Sequence, residues 1–251
     1  MSGQGATPSL RLIHFAFSHY NEKARWALDY KGLSAERVAL LPGPHARTTR
    51  KLSGQSATPI VVVDGAVVAG SARIVERLEA LRPDPPLFPS GAEERAAADR
   101  WIGTFDEEVG PAVRLSLFHR LFDEPGYAAK LFSTDQPGWK RHPYAWLFPR
   151  MIPMLRDRMS IDDETDRAAL GTIEEALDAV AEAVAGDGYL VGGRFTAADL
   201  TAAALLMPLG DPPRLPFSFP AVASPAHAGW RARWADHPAI AWMESMFERH
   251  R

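Results

Sequence analysis

The chain has 251 residues, 46% apolar and 24% charged, with 28 basic against 31 acidic side chains and a formal net charge of −3. That is enough for two modest domains with a substantial core, and the charge balance excludes the basic face that a nucleic-acid partner demands. Without cysteine there are no disulfides, thiolate metal sites or cysteine nucleophile, and no apolar run approaches the roughly 20 residues that cross a bilayer, so a cytoplasmic protein away from membranes is expected.

Residues 1–9 are small and polar and predict a frayed start. The apolar run 10–17 predicts a buried strand, and 22–33 a helix packed through Ala24, Trp26, Ala27, Leu28 and Tyr30 and ended by Gly32. Between them stands Ser18-His19-Tyr20-Asn21, where thioredoxin-like folds keep a reactive C-x-x-C. A helix N-terminus carries free N–H groups and a partial positive charge, so it favours an anion. A serine there either caps the helix or donates a hydrogen bond to a bound thiolate; a cysteine would form a mixed disulfide with it.

Residues 36–41 predict a second strand, broken by Pro42-Gly43-Pro44, and the basic segment 47–51 leads into a short helix. Thr58-Pro59 precedes two β-branched runs joined by Asp64-Gly65, which is a hairpin pattern, and Pro59 stands where either a trans or a cis bond is compatible with the sequence. Ser71 is placed as the N-cap of a helix over 72–81 that buries Ile74, Val75 and Leu78. The proline-rich stretch 82–89 cannot propagate a helix and reads as a linker. Beyond it, 93–122, 144–159 and 164–185 carry helical spacing, and Thr196 with Asp199 forms a capping box before the uncharged, buried helix 200–207, a folding signal rather than a catalytic pair.

This order of Ser-x-x-Asn, Thr-Pro before a hairpin, Gly-Ser at a helix start, proline linker and T-x-x-D before a buried helix resembles the cytosolic glutathione transferases, nearest their serine-type, bacterial-like members. The resemblance implies an α/β thioredoxin-like domain over 1–83, a linker over 84–92 and an all-α domain over 93–251. It implies that Ser18 donates to the sulfur of glutathione and lowers its pKa, that Thr58 beside a cis-Pro59 pairs its backbone with the cysteinyl amide, and that Ser71 and the Ala72 amide hold the γ-glutamyl carboxylate. His45 falls where some classes reach the glycyl carboxylate, with Gln55 and Ser56 as weaker candidates. A hydrophobic electrophile would lie between the domains against Tyr20, Phe105, Val109, Arg114 and Phe118, in a homodimer without metal.

Two departures stand out. Relatives place Glu or Asp before the serine that opens this helix, where Gly70 stands here, so the ligand's ammonium lacks its partner; Asp106 from a second subunit is one candidate. Asn21 is read as a helix cap, and Tyr20 rivals Ser18 because some members activate the thiol with a phenol. The aromatic segment 127–148 is read as lid, dimer contact or, preferentially, packing. Transferase chemistry is the leading reading, with a binding or stress-linked protein of little turnover, or a glutathione-dependent peroxidase, as alternatives. The eight histidines show no H-E-x-x-H spacing, and no G-x-G-x-x-G occurs.

Overall fold

The expected strands and the first helix assemble, in a computed structural model that describes residues 8–220 and 224–251, into a four-stranded mixed sheet. Strands β1 (Leu10–His14) and β2 (Glu36–Ala39) are parallel, joined by α1 (His19–Tyr30). After α2 (His45–Ser53), β3 (Ile60–Val63) runs antiparallel to β1 and pairs with β4 (Ala66–Ala69) through the Asp64-Gly65 turn, giving the order β2-β1-β3-β4. Asp64 and Gly65 have φ of 49° and 87°, the left-handed conformation that this two-residue turn requires. Helix α3 (Ser71–Leu81) follows and completes a thioredoxin-like unit. The frayed start expected for residues 1–9 falls mostly on 1–7, outside the described residues.

The rest is helical: α4 (Ala92–Thr104), α5 (Gly110–Leu121), α6 (Pro125–Phe132), α7 (Gly138–Met159), α8 (Asp163–Ala183), α9 (Ala197–Leu206), α10 (Pro225–Ala232) and α11 (Pro238–His250). Four boundaries differ from the sequence reading. The first strand ends at His14 because 15–17 turn the chain toward α1. Helix α7 begins at Gly138, six residues earlier than expected, and accommodates Pro143, Pro149 and Pro153 in its interior. The segment expected as one helix over 93–122 is interrupted by a π-helical turn, Phe105–Val109. The N-cap of α3 is Gly70 rather than Ser71.

The central element is α9, whose ten residues are all buried. Its capping box forms as the sequence requires: Asp199 Oδ2 accepts from the Thr196 N–H and hydroxyl, both at 2.8 Å, and Oδ1 accepts from Leu190 N at 2.8 Å. Burial nevertheless pushes the Asp199 carboxyl up to about 6 against these bonds. Helix α1 packs between α3 and α9, so nine of its twelve residues are buried, including Glu22, Lys23 and Arg25.

Three buried histidines, His14, His19 and His227, are held at about 4, 3 and 4, chiefly by desolvation and then by neighbouring arginines. Each stays neutral when folded but takes up a proton when unfolded below about 6.5, so each withdraws stability as pH falls from about 7 toward 4. Asp199 acts oppositely, protonated when folded and ionised when unfolded between about 4 and 6. With three protons against one among these groups, and with the lowered His45 and His250 acting in the same direction as the three histidines, stability should drop by about 3 kcal/mol or more per pH unit near pH 5. Urea unfolding midpoints measured from pH 7 to pH 5 check this; a flat profile would refute the assignment.

Candidate active site

The turn between β1 and α1 is fixed from below by Arg25. Its Nη1 donates to the carbonyl of Phe15 at 2.8 Å and to His14 Nδ1 at 2.9 Å, Nη2 to the carbonyl of Ala16 at 3.0 Å, and Nε to Glu22 at 2.7 Å. Satisfying those turn carbonyls from inside lets the chain present Ser18 at the N-cap of α1 in an extended conformation, φ −168°. The Ser18 side chain makes no capping hydrogen bond. Its Oγ instead accepts from Asn21 Nδ2 at 2.7 Å, and the same amide group donates to Thr58 Oγ1 at 3.1 Å. Asn21 is therefore a fully buried bridge between the two turns rather than a cap, and with its oxygen acting as acceptor, Ser18 keeps its own O–H to donate outward.

Tyr20 is committed elsewhere. Its hydroxyl donates at 2.7 Å to the carbonyl of Asp106, within the π-helical turn. The i to i+5 pattern of that turn would assign this carbonyl to residue 111, a proline with no N–H, while Gly110 N–H bonds Phe105 O. Tyr20 thus supplies the missing donor, and burial pushes its phenol well above the ordinary range. Its hydroxyl proton is therefore committed to that carbonyl within the helical part. Beside it, His19 Nε2 pairs with Gly110 O at 3.1 Å and the ring is held neutral. Gly110 is needed for the close approach: a Cβ there would lie 2.5 Å from Tyr20 Oη.

A cavity of about 520 Å³ opens over Ser18. The N-terminal unit contributes Phe15, Phe17, Tyr20, His45, Ser56 and Thr58; α5 contributes Arg114 and Phe118; and the outer wall comes from α7, including Met151, Met154, Leu155 and Met159. The space that a Cβ on Gly43 would occupy, where φ is +95°, is filled by the Met151 methyl, so α7 closes directly onto the loop after β2. In the segment 127–148, Tyr144 and Phe148 are buried, Phe148 on the cavity wall, whereas Trp139 and Trp146 face outward.

Several expected site residues lie elsewhere or act differently. Phe105 and Val109 are core residues on the stripe continued by Val113, whereas Arg114, Leu117 and Phe118 of α5 reach the cavity. His45 has both nitrogens engaged, Nδ1 accepting from Gly43 N at 2.9 Å and Nε2 donating to the carbonyl of Ser56 at 2.7 Å, and burial lowers its pKa; it ties two loops together and presents no free cation. Gln55 is exposed and off the wall. Asp106 is taken by Lys23 of its own chain at 2.7 Å, which removes it as a donated carboxylate. Gly70 has φ +95°, a conformation that disfavours the acidic residue expected there.

Pro59, Ser71 and Ala72 lie off the cavity wall, and Gly70 N–H donates to the Pro59 carbonyl at 3.0 Å, joining the start of α3 to the Thr58–Pro59 turn, whose peptide is cis. The first amides of α3, those of Ser71 and Ala72, have no intrahelical partner. The sequence reading missed the α7 wall and Phe15, Phe17, Phe122 and Phe132; an apolar pattern marked α7 as a helix, but nothing local said which face meets the sheet unit.

Comparison with known proteins places this architecture. The profile of a glutathione S-transferase N-terminal domain matches residues 12–86, and that of a glutathione S-transferase C-terminal domain matches 153–245. A maleylacetoacetate isomerase of Dictyostelium discoideum is 29% identical over 123 residues, 45% of this chain and 56% of that protein, so the match spans little more than half the length of the relative. Among solved structures, a glutathione S-transferase of Methylobacterium radiotolerans in complex with glutathione sulfonate is 26% identical with a TM-score of 0.63, covering 96% of this chain and 91% of the other. A beta-etherase of Sphingobium shares the fold at 22% identity and a TM-score of 0.61, covering 94% and 99%.

Tyr20→Phe should leave the Asp106 carbonyl unpaired and destabilise the protein by about 1–3 kcal/mol, and Gly110→Ala, which forces Tyr20 aside, by a similar amount. Chemical unfolding of both variants measures this. Wild-type stability in either would remove the link between α1 and the π-helical turn.

Proposed function

The chain belongs to the glutathione S-transferase family, and from that premise we propose that it binds glutathione over the β1–α1 turn and activates its thiol through Ser18 for attack on a hydrophobic electrophile. The observation that carries the reading is the state of Ser18: it sits at a helix N-terminus, makes no cap bond, is oriented by the Asn21 amide, and faces the cavity with its hydroxyl proton uncommitted. A sulfur placed there meets the O–H of Ser18 and the positive end of α1, and both favour thiolate over thiol. Nearby histidines held neutral do not compete as proton acceptors.

In this proposal the main chain of Thr58, beside the cis peptide to Pro59, pairs with the backbone of the cysteinyl residue, and the unpaired amides of Ser71 and Ala72 receive the γ-glutamyl carboxylate as an anion at the α3 N-terminus. Ser56 lines the same edge. The electrophile occupies the aromatic space bounded by Tyr20, Arg114, Phe118 and α7. The thiolate forms a carbon–sulfur bond, and the proton lost from the thiol leaves to solvent. A cytoplasmic homodimer is part of the same proposal.

A second reading is favoured by the similarity to a maleylacetoacetate isomerase. The same thiolate would add to a conjugated double bond, allow rotation about the resulting single bond, and leave again. The two readings separate on the fate of glutathione, which is consumed in conjugation and regenerated in isomerisation.

Glutathione titrated onto the protein across pH, with thiolate followed by its ultraviolet absorbance, should show a bound pKa below that of the free thiol. Ser18→Ala should remove most of the shift and lower kcat/KM by about tenfold to a hundredfold while glutathione still binds. Unchanged kinetics in Ser18→Ala would overturn the assignment. Asn21→Asp should also raise the bound pKa, because it draws the Ser18 proton inward and adds negative charge beside the sulfur.

A further inference from the structure

The wall of the cavity carries an uncompensated positive charge. Its lining among the described residues includes two arginines and no aspartate or glutamate. Arg158 is exposed at the mouth, where water solvates it, but Arg114 reaches in from α5 beside Ser18, His19 and Tyr20. Its Nε is buried without a hydrogen-bond partner. None of the ion pairs among the described residues uses it. The Tyr20 ring, 6.0 Å from the guanidinium carbon, is at the edge of cation–π attraction and does not replace an anion. Arg114 is half-buried, with Nε shut off from water and the rest of its planar fork open to the cavity, a geometry that matches a carboxylate with two parallel hydrogen bonds.

The remaining surface is Phe118, Phe122, Phe132, Phe148 and the methionines of α7, which accept a flat apolar body. A ligand that satisfies both halves is an aromatic or similarly flat molecule with an acidic group at one end. We propose that Arg114 is the specificity-determining residue of the second-substrate site and that the protein selects electrophiles bearing a carboxylate over their neutral analogues. The inference rests on the reading that glutathione is activated at Ser18. The same guanidinium chemistry suits a carboxylate of glutathione itself, so the test distinguishes the two sources.

The probes are 4-chloro-3-nitrobenzoate and its methyl ester. Each reacts with the thiolate by forming a carbon–sulfur bond and releasing chloride with the electron pair of the carbon–chlorine bond. Rates are divided by those of free glutathione to remove the intrinsic difference in reactivity. Arg114→Met should lower kcat/KM for the acid by about tenfold or more, leave the ester within about twofold, and leave the KM for glutathione unchanged; Arg114→Lys should retain part of the preference. An equal loss for acid and ester, or a raised KM for glutathione, assigns the arginine to glutathione or to structure and overturns the proposal.

Binding without turnover separates this outcome from failure of the Ser18 reading. Calorimetric titration of wild-type protein with unreactive 3-nitrobenzoate and methyl 3-nitrobenzoate should favour the acid by about tenfold, a preference lost in Arg114→Met. Equal affinities for wild-type protein overturn the proposal even if no variant folds.

Discussion

Everything at the candidate site depends on one buried guanidinium. Arg25, almost wholly excluded from solvent, holds the carbonyls of Phe15 and Ala16 and the carboxylate of Glu22, which also receives Arg251 Nε at 2.5 Å. A chain that leaves a strand and enters a helix within four residues exposes carbonyls that neither element satisfies. Arg25 satisfies them from the helix side and so fixes where Ser18 stands relative to the N-terminal amides of α1. Removing one partner of such a cluster strands the others without solvent, which is why a buried network of this kind imposes a single geometry.

The opposite face of α1 is fixed by the helical part. Lys23 meets Asp106, Tyr20 meets the Asp106 carbonyl, and His19 meets the Gly110 carbonyl, all at or beside the π-helical turn. Pro111 withholds the N–H that a continuous helix would offer there, and the side chains of α1 take its place. The same interruption precedes the stretch of α5 in which the core stripe of Val113 and Leu117 runs next to Arg114 and Phe118. One local irregularity therefore couples the two halves of the chain and lies at the head of the helix that forms the inner wall of the cavity.

Electrostatically the cavity is one-sided. Burial lowers the pKa of the histidines around it, no carboxylate among the described residues lines it, and the aromatic wall offers little to solvate charge, so the N-terminus of α1 and the two lining arginines set its potential. Gly70 takes the opposite course at the α3 entrance: a positive φ required by the backbone displaces the acidic side chain that the family resemblance led us to expect.

Much of the framework was legible in the sequence because it is encoded locally. Asp64-Gly65 dictates a hairpin, Thr196 and Asp199 dictate a capping box, proline-rich 82–89 cannot be helix, and alternation or helical spacing marks the strands and most helices. The spacing of Ala24, Trp26, Ala27 and Leu28 gave one packing side of α1, but not that Glu22, Lys23 and Arg25 are buried as well once distant segments pack over them. Asn21 looked like a cap because its partner Thr58 is 37 residues away, and His45 looked free because Ser56 is brought to it only when α2 folds back. What the sequence by itself determined were the elements, their order and the placing of a serine at a strand-to-helix turn, all properties of neighbouring residues. Which face of each helix meets the cavity, which hydroxyl keeps its proton and which cation is left without a partner were decided by packing between distant segments, because hydrogen-bond and charge compensation are settled only when those segments meet.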